Sequence, residues 1–374
     1  MKYLILITSI VLIGACSGSA PATPTSPVTA SSVARSVDLT DPAVAADLGS
    51  PPFAPVAWQR FIGPWTAVGD GAVPGPNELA LMQAAATDLP AALSIEPRQI
   101  VRTSSVTVPE GHPATGAVAA SRGPDIYLLD GVFAGARMAP RLDILLALSH
   151  ELVHVAQWYE LDPDYITAAL DGRVQTLRLV DGSTLVEEWA AATGWTDTDP
   201  DPFVADWTLV GDSRPPTAYA RTDPAEDMAD SVSMAVIGRG DELDDARRIW
   251  VEQWLGTDLD TVAAGQPWAP AGAASVTSEA ALYDTDAVLS LMADRSRIDQ
   301  VAFELPGEFG DLEATAALVE EGLARHGLVG SLTGDDTLRS GRFDRQDGST
   351  LRVEVRDLRA SGATGLLLVY VLIW

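Results

Sequence analysis

The chain has 374 residues, 47% of them hydrophobic, and ten tryptophans, enough for one large or two ordinary packed domains and inconsistent with general disorder. Its formal charge of −28 and pI near 4.3 repel nucleic acid and anionic headgroups, which sets nucleic-acid binding aside. The acidity is read as solubility or compositional bias, with a preference for basic partners as the alternative. The single cysteine, Cys16, excludes an intramolecular disulfide.

Met1-Lys2 gives a positive start, residues 3–11 an apolar core, and Ile13-Gly14-Ala15-Cys16 a small-residue cleavage site. This pattern resembles a bacterial lipoprotein signal, with Ile13 in place of the commoner Leu. The resemblance implies that residues 1–15 are removed and Cys16 is lipidated. The protein would then sit in the bacterial cell envelope, outside the cytoplasm, touching the membrane only through its N-terminal lipid. An ordinary secretory signal is the alternative; the apolar run is shorter than the roughly 20 residues a membrane span needs. Residues 16–55 are rich in Ser, Ala, Thr and Pro and read as a flexible tether.

The folded body is expected to begin near residues 53–65. Residues 78–93 have helical spacing, with Leu79, Met82, Ala86 and Leu89 on one face. Residues 99–108 are β-prone, and residues 118–120 and 125–129 read as strands around a Gly/Pro-marked turn. Pro140 opens a long apolar helix over residues 142–159. Further helices are expected at residues 184–193, stopped by Gly194, and from Asp223-Pro224 to about residue 236. Residues 241–255 give another, with Ile249, Trp250 and Trp254 as apolar anchors, while residues 196–216, rich in Asp and Pro, read as a loop. Residues 265–272 mark a boundary. Beyond it come a strand at 300–305, an amphipathic helix at 311–326, and strand-like segments at 340–356 and 365–374. The expected class is α+β: a mixed-sheet domain over residues 56–264 and a smaller α+β domain over residues 272–374.

The long helix carries His150-Glu151-Leu152-Val153-His154, an H-E-x-x-H pentad that uses two of the chain's four histidines. Positions i and i+4 share a helix face, so both imidazoles can reach one metal ion, Zn2+ being the expected cofactor. Glu151 lies where it can act as general base toward a metal-activated water. His112 and His326 lack metal-ligand company and are assigned no role.

A third ligand must come from downstream. Position 160 is Glu and position 157 is Gln, so the metzincin pattern is absent, and residues 173–180 hold no carboxylate for a thermolysin-like helix. Glu226 is the preferred candidate, with Asp230 beside it at i+4 to hold a ligand histidine through its free ring N–H. Glu187 and Glu188 are the second choice. Glu226 also fits a plain helix-start role, three residues after Asp223.

Tyr219 followed by Glu226-Asp227-Met228-Ala229-Asp230 resembles the Tyr…Glu-x-Phe-Ala-Glu block of the anthrax lethal factor-like gluzincin peptidases, which pair it with H-E-x-x-H. The resemblance covers residues 125–236 and implies a zincin-like catalytic domain acting on a peptide or protein substrate. By it, His150, His154 and Glu226 bind zinc, Glu151 is general base and then acid, Tyr219 donates to the oxyanion, and Asp230 holds a ligand histidine. Val153, Met228 and Asp230 replace the family's usual Gly, Phe and Glu, and the gap 226 − 154 = 72 residues implies an insertion containing Trp189, Trp195 and Trp207. A binding lipoprotein that keeps the fold without catalysis is the alternative.

Overall fold

The computed structural model describes residues 58–62, 65–69, 74–93, 95–103, 119–133, 139–174, 180–199, 201, 203, 205–270, 272–276, 298–306, 309–345, 350–359 and 365–373. The expected leader and tether, Cys16 and His112 lie outside these residues. Among the described residues no helix is long and apolar enough to cross a membrane.

The fold is α+β. Strands β1 (Trp58–Ile62), β2 (Trp65–Gly69), β3 (Gln99–Thr103), β4 (Ala119–Arg122) and β5 (Asp125–Leu129) form a mixed sheet in the order β1-β2-β3-β5-β4. β2, β3 and β5 run parallel, and β1 and β4 pair antiparallel at the two edges. Parallel neighbours need a crossover, and helix α1 (Pro76–Thr87) lies between β2 and β3 in the chain. This helix stops at Thr87, short of the residue 93 that its spacing suggests, with Asp88 at its C-cap. The Gly123-Pro124 turn joins β4 to β5. Gly123 has φ of 57°, and a Cβ there would lie 3.1 Å from the Trp158 indole, so both backbone and space require glycine.

All five residues of β5 are buried, including Asp125, whose carboxylate takes two hydrogen bonds from Arg98. An edge strand would alternate between buried and exposed; continuous burial marks an interior strand. The edge of the sheet on this side is β4, which pairs only with β5 among the described residues.

Helix α2 (Pro140–Tyr159) carries the pentad through the middle of the first core. Ile144, Leu145, Ala147, Leu148, Leu152, Val153 and Val155 are fully buried, so apolar side chains occupy every face. A helix apolar all round must be enclosed. Here α1, β4 and helix α5 (Pro224–Val236) enclose it. Between α2 and α5 lie α3 (Pro163–Leu170), which the sequence pattern did not reveal, and α4 (Thr184–Thr193), which ends at Gly194 with φ of 89°. The segment expected as a loop contains a hairpin of β6 (Trp195–Asp197) and β7 (Trp207–Leu209), each too short to show periodicity. Helix α6 (Asp245–Leu255) starts later than expected, because Asp244 caps it through the Arg247 N–H. Ile249, expected as an anchor of this helix, is 53% exposed; Trp250 and Trp254 do pack against the core.

The second sheet is antiparallel throughout. Strands β8 (Ala274–Val276), β9 (Ile298–Leu305), β10 (Thr333–Gly334), β11 (Leu338–Asp344), β12 (Thr350–Asp357) and β13 (Leu366–Ile373) take the order β10-β11-β12-β13-β9-β8. Helix α7 (Leu312–Arg325) covers it, burying Val319 and Leu323 against Leu351, Val353, Leu368 and Tyr370. Trp268 enters this second core over Gly322, where a Cβ would overlap the indole.

The junction between the sheets is buried. Residues 265–270, within the segment 265–272 expected as a boundary, are all buried. Ala139 precedes α2 and has no side-chain cap to offer; Asp299 of β9 supplies one, accepting from the Arg141 N–H at 2.9 Å. The same carboxylate accepts from Arg141 Nε at 2.7 Å, and the guanidinium also meets Gln266 and Asp88. Arg141 is 1% exposed and the Asp299 side chain 0%. Breaking one partner of such a pair leaves a buried charge uncompensated, at a cost of about 3–5 kcal/mol. Asp299→Ala should lower the unfolding free energy by about that amount, measured as a shift of the urea midpoint at unchanged slope. A shift no larger than that of a surface Asp→Ala control would contradict the role of this junction.

Candidate metal centre

The site is assembled where α5 crosses α2. On α2, the i, i+4 spacing brings the two imidazoles together, ring centroids 4.8 Å apart. On α5, Asp223 caps the helix by accepting from the Glu226 N–H at 2.9 Å. The helix-start role and the ligand role therefore coexist: the Glu226 backbone takes the cap, and its side chain reaches the histidines. Glu226 Oε2 lies 3.1 Å from His150 Nε2 and 3.2 Å from His154 Nε2, and the two Nε2 atoms are 3.1 Å apart. His150, His154 and Glu226 are the group among the described residues whose ligand atoms converge on one metal position. A tetrahedral ion with ligand bonds of about 2.0–2.1 Å needs donor atoms about 3.3 Å apart. The observed triangle is within a few tenths of an ångström of that on every side, so the residues fit a small divalent cation.

Outer contacts hold each ligand. Asp230, one turn beyond Glu226 on α5, places Oδ1 2.9 Å from His150 Nδ1. Its shorter side chain still reaches the ring, and its other oxygen accepts from the Thr217 hydroxyl. Thr217 Oγ1 in turn accepts from the Ala220 N–H at 2.9 Å, next to Tyr219. The half-buried Tyr219 ring stacks obliquely near His150, with centroids 6.2 Å apart. On the other imidazole, His154 Nδ1 lies 2.8 Å from Gln157 Oε1, and Gln157 Nε2 donates to the Ala225 carbonyl at 3.0 Å. Gln157 was seen in the sequence only as a missing metzincin glycine. Its spacing from His154, i+3 on one helix face, was the available signal.

Glu187 and Glu188 are exposed on α4, and Glu188 lines a surface cavity with Ile95, Tyr159 and Trp254. Neither joins the histidines. The gap tryptophans serve α5 instead. Trp189 and Trp195 each donate to Asp227 Oδ2, at 3.2 and 2.8 Å, and Arg247 Nε donates to its Oδ1 at 2.9 Å. Asp227 thus locks the α5 face opposite the site to α4, α6 and the hairpin. α5 is buried along its whole length.

The electrostatics follow from burial. Burial pushes the Glu226 carboxyl up, but His154 and His150 outweigh it and hold it far below the usual carboxylate range. Burial disfavours charge on His150, yet Asp230 and Glu226 raise its pKa well above the ordinary value. His154 is raised in the same way, with Glu226 overcoming burial. Glu151 is raised by burial, opposed by the two histidines. Both its oxygens are buried without a well-formed hydrogen bond, with the Ser121 hydroxyl of β4 near enough to act on it. Burial, together with Glu226 and Asp181, pushes Asp223 up to about 7.

No protein-family model, curated protein or solved structure matches this chain.

The pKa directions fix the sign of a pH response. In metal-free protein, the raised His150 and His154 contribute stability that is present below about pH 6.5, their unfolded value, and lost as pH rises through the folded values. Asp223 acts in the same direction between its unfolded value of about 4 and its folded value of about 7. The depressed Glu226 contributes stability that is lost only in acid below about pH 4. A bound cation needs neutral imidazoles, so its own stabilisation grows as pH rises. Chelator-treated protein should melt lower at about pH 8 than at about pH 6, while the rise in melting temperature on adding zinc should be larger at about pH 8. A metal increment that shrinks with rising pH would contradict ligation by these histidines.

Proposed function

We propose that this chain is a zinc-dependent peptidase of the zincin type, with its catalytic centre at His150, Glu151, His154 and Glu226. The observation that carries the reading is the buried triangle of Nε2, Nε2 and Oε2 atoms with sides of 3.1, 3.1 and 3.2 Å. Two imidazoles and one carboxylate suit the borderline preference of zinc, and three protein ligands leave one position open, as hydrolytic sites do. When bound, zinc lowers the pKa of a coordinated water and polarises a substrate carbonyl.

The remaining steps belong to side chains of this chain. Glu151, buried beside the two histidines and with its proton affinity raised, accepts the proton of the attacking water and returns it to the leaving amine. Tyr219, on the loop anchored by Thr217 and Asp230, donates to the oxyanion that develops on the carbonyl, a contribution of about 3–4 kcal/mol. The β4 edge adjoins α2, and an extended peptide can add to such an edge through its main chain. That supports a peptide or protein as substrate. The sheet with an antiparallel edge strand beside the pentad helix, followed by a helix bearing the third ligand, supports the zincin type. The lipoprotein-like leader supports an extracytoplasmic location with the lipid on Cys16 as its membrane anchor.

Three substitutions separate the roles. Glu151→Gln should retain zinc and lose turnover of a peptide library. His154→Ala should lose zinc. Tyr219→Phe should lower kcat by about 10²–10³-fold with little change in KM. Zinc-loaded wild type that cleaves no peptide in the library would instead favour the binding-lipoprotein reading.

A further inference from the structure

We propose that Gln157 is a positioning residue that fixes the ring tautomer of His154 and ties the two ligand helices together, so that the site is formed before the ion arrives. The inference rests on His150, His154 and Glu226 being metal ligands.

The Ala225 C=O can only accept a hydrogen bond. It lies 3.0 Å from one end of the Gln157 amide, so that end must be the NH2 group. The Met228 sulfur, also an acceptor, lies 3.6 Å from the same nitrogen and agrees with this orientation. The amide oxygen therefore faces His154 Nδ1 at 2.8 Å. An amide oxygen also only accepts, so Nδ1 must carry the proton. A neutral imidazole has one ring proton, which leaves Nε2 with a bare lone pair. That lone pair is directed at the Glu226 and His150 ligand atoms. The proton pattern on a metal ligand is thus set two hydrogen bonds away, by a main-chain carbonyl on the other helix.

Burial makes the arrangement obligatory. Gln157 and His154 are 0% and 5% exposed, so water cannot replace the amide on either side. The bridge also lands on Ala225, the residue before Glu226, and so couples the separation of α2 and α5 to the His154 ring. His150 is held differently. Its Nδ1 faces the carboxylate of Asp230, a charged acceptor, whereas His154 meets a neutral one. Holding the second imidazole with an amide avoids adding another buried carboxylate to a pocket that already contains Glu151, Glu226 and Asp230.

Histidine 15N NMR of zinc-free protein at alkaline pH, where the rings are neutral, reads the tautomer directly. Single His substitutions assign the four side chains. Wild type should show His154 protonated at Nδ1, and an Nε2–H form would overturn the proposal. Gln157→Met, of similar volume but unable to make either bond, should mix the tautomers and weaken zinc binding by about 10–100-fold in a chelator competition. Gln157→Glu keeps an acceptor oxygen opposite Nδ1 but cannot donate to the Ala225 carbonyl, so it should retain the Nδ1–H signature while losing the tie between the helices. Unchanged tautomer and affinity in Gln157→Met would overturn the proposal. If that variant does not fold, Gln157→Glu decides, and loss of the Nδ1–H signal in it counts against Gln157. Failure of wild type to bind zinc would refute the metal reading, while the zinc-free tautomer still judges Gln157 separately.

Discussion

Glu151, Glu226, Asp230, His150 and His154 all lie in one pocket at 5% exposure or less. Ionised groups withdrawn from water are costly unless each meets an opposite charge or a hydrogen bond. In the protein without metal, protons meet that need: the histidines hold theirs more tightly than usual, and Glu226 stays ionised between them. A divalent cation meets it more completely, by replacing the protons with a charge that all three ligand atoms share. Much of the surrounding architecture follows from meeting that need for His150, His154, Glu226 and Asp230, whereas both Glu151 oxygens lack a well-formed hydrogen bond.

Helix α5 shows the consequence. It must bring Glu226 and Asp230 to the histidines, so it lies deep in the core, and its own polar groups need partners there. Asp227, pointing the other way, receives Trp189, Trp195 and Arg247. Helix α2 is fixed at both ends. Its first turn is capped by Asp299 from the second sheet, and its last turns are bridged to α5 by Gln157. The second sheet is therefore part of the framework that holds the pentad helix, since Val301 of β9 packs against both cores.

The sequence made some of this legible. The pentad, Pro140, the Gly194 stop and the Asp223-Pro224 start each rest on a local rule of helix geometry, and the helices appear where those rules put them. Residues 225, 229, 232 and 236 have the apolar spacing of a docked helix, which favours Glu226 over Glu187 and Glu188. What stayed hidden was set by distant partners. Strand β5 reads the same whether interior or edge until its ladder is known. The Asp299 cap joins residues 158 positions apart, and the Gln157 bridge crosses between helices 68 positions apart. Ile249 looked like an anchor because it is apolar and adjoins Trp250, but it is two residues from the buried positions 247 and 251 and faces solvent.

The proposed chemistry depends on one ion held by two imidazole nitrogens and one carboxylate oxygen. X-ray absorption at the zinc edge, on protein loaded with a single equivalent, tests it most directly. The spectrum should show a shell of nitrogen and oxygen donors at about 2.0–2.1 Å with the outer scattering of two imidazoles. That outer scattering should stay at two imidazoles in Glu226→Ala, while His154→Ala should bind no zinc. A spectrum with more than two imidazoles, or one that His154→Ala leaves unchanged, would contradict it.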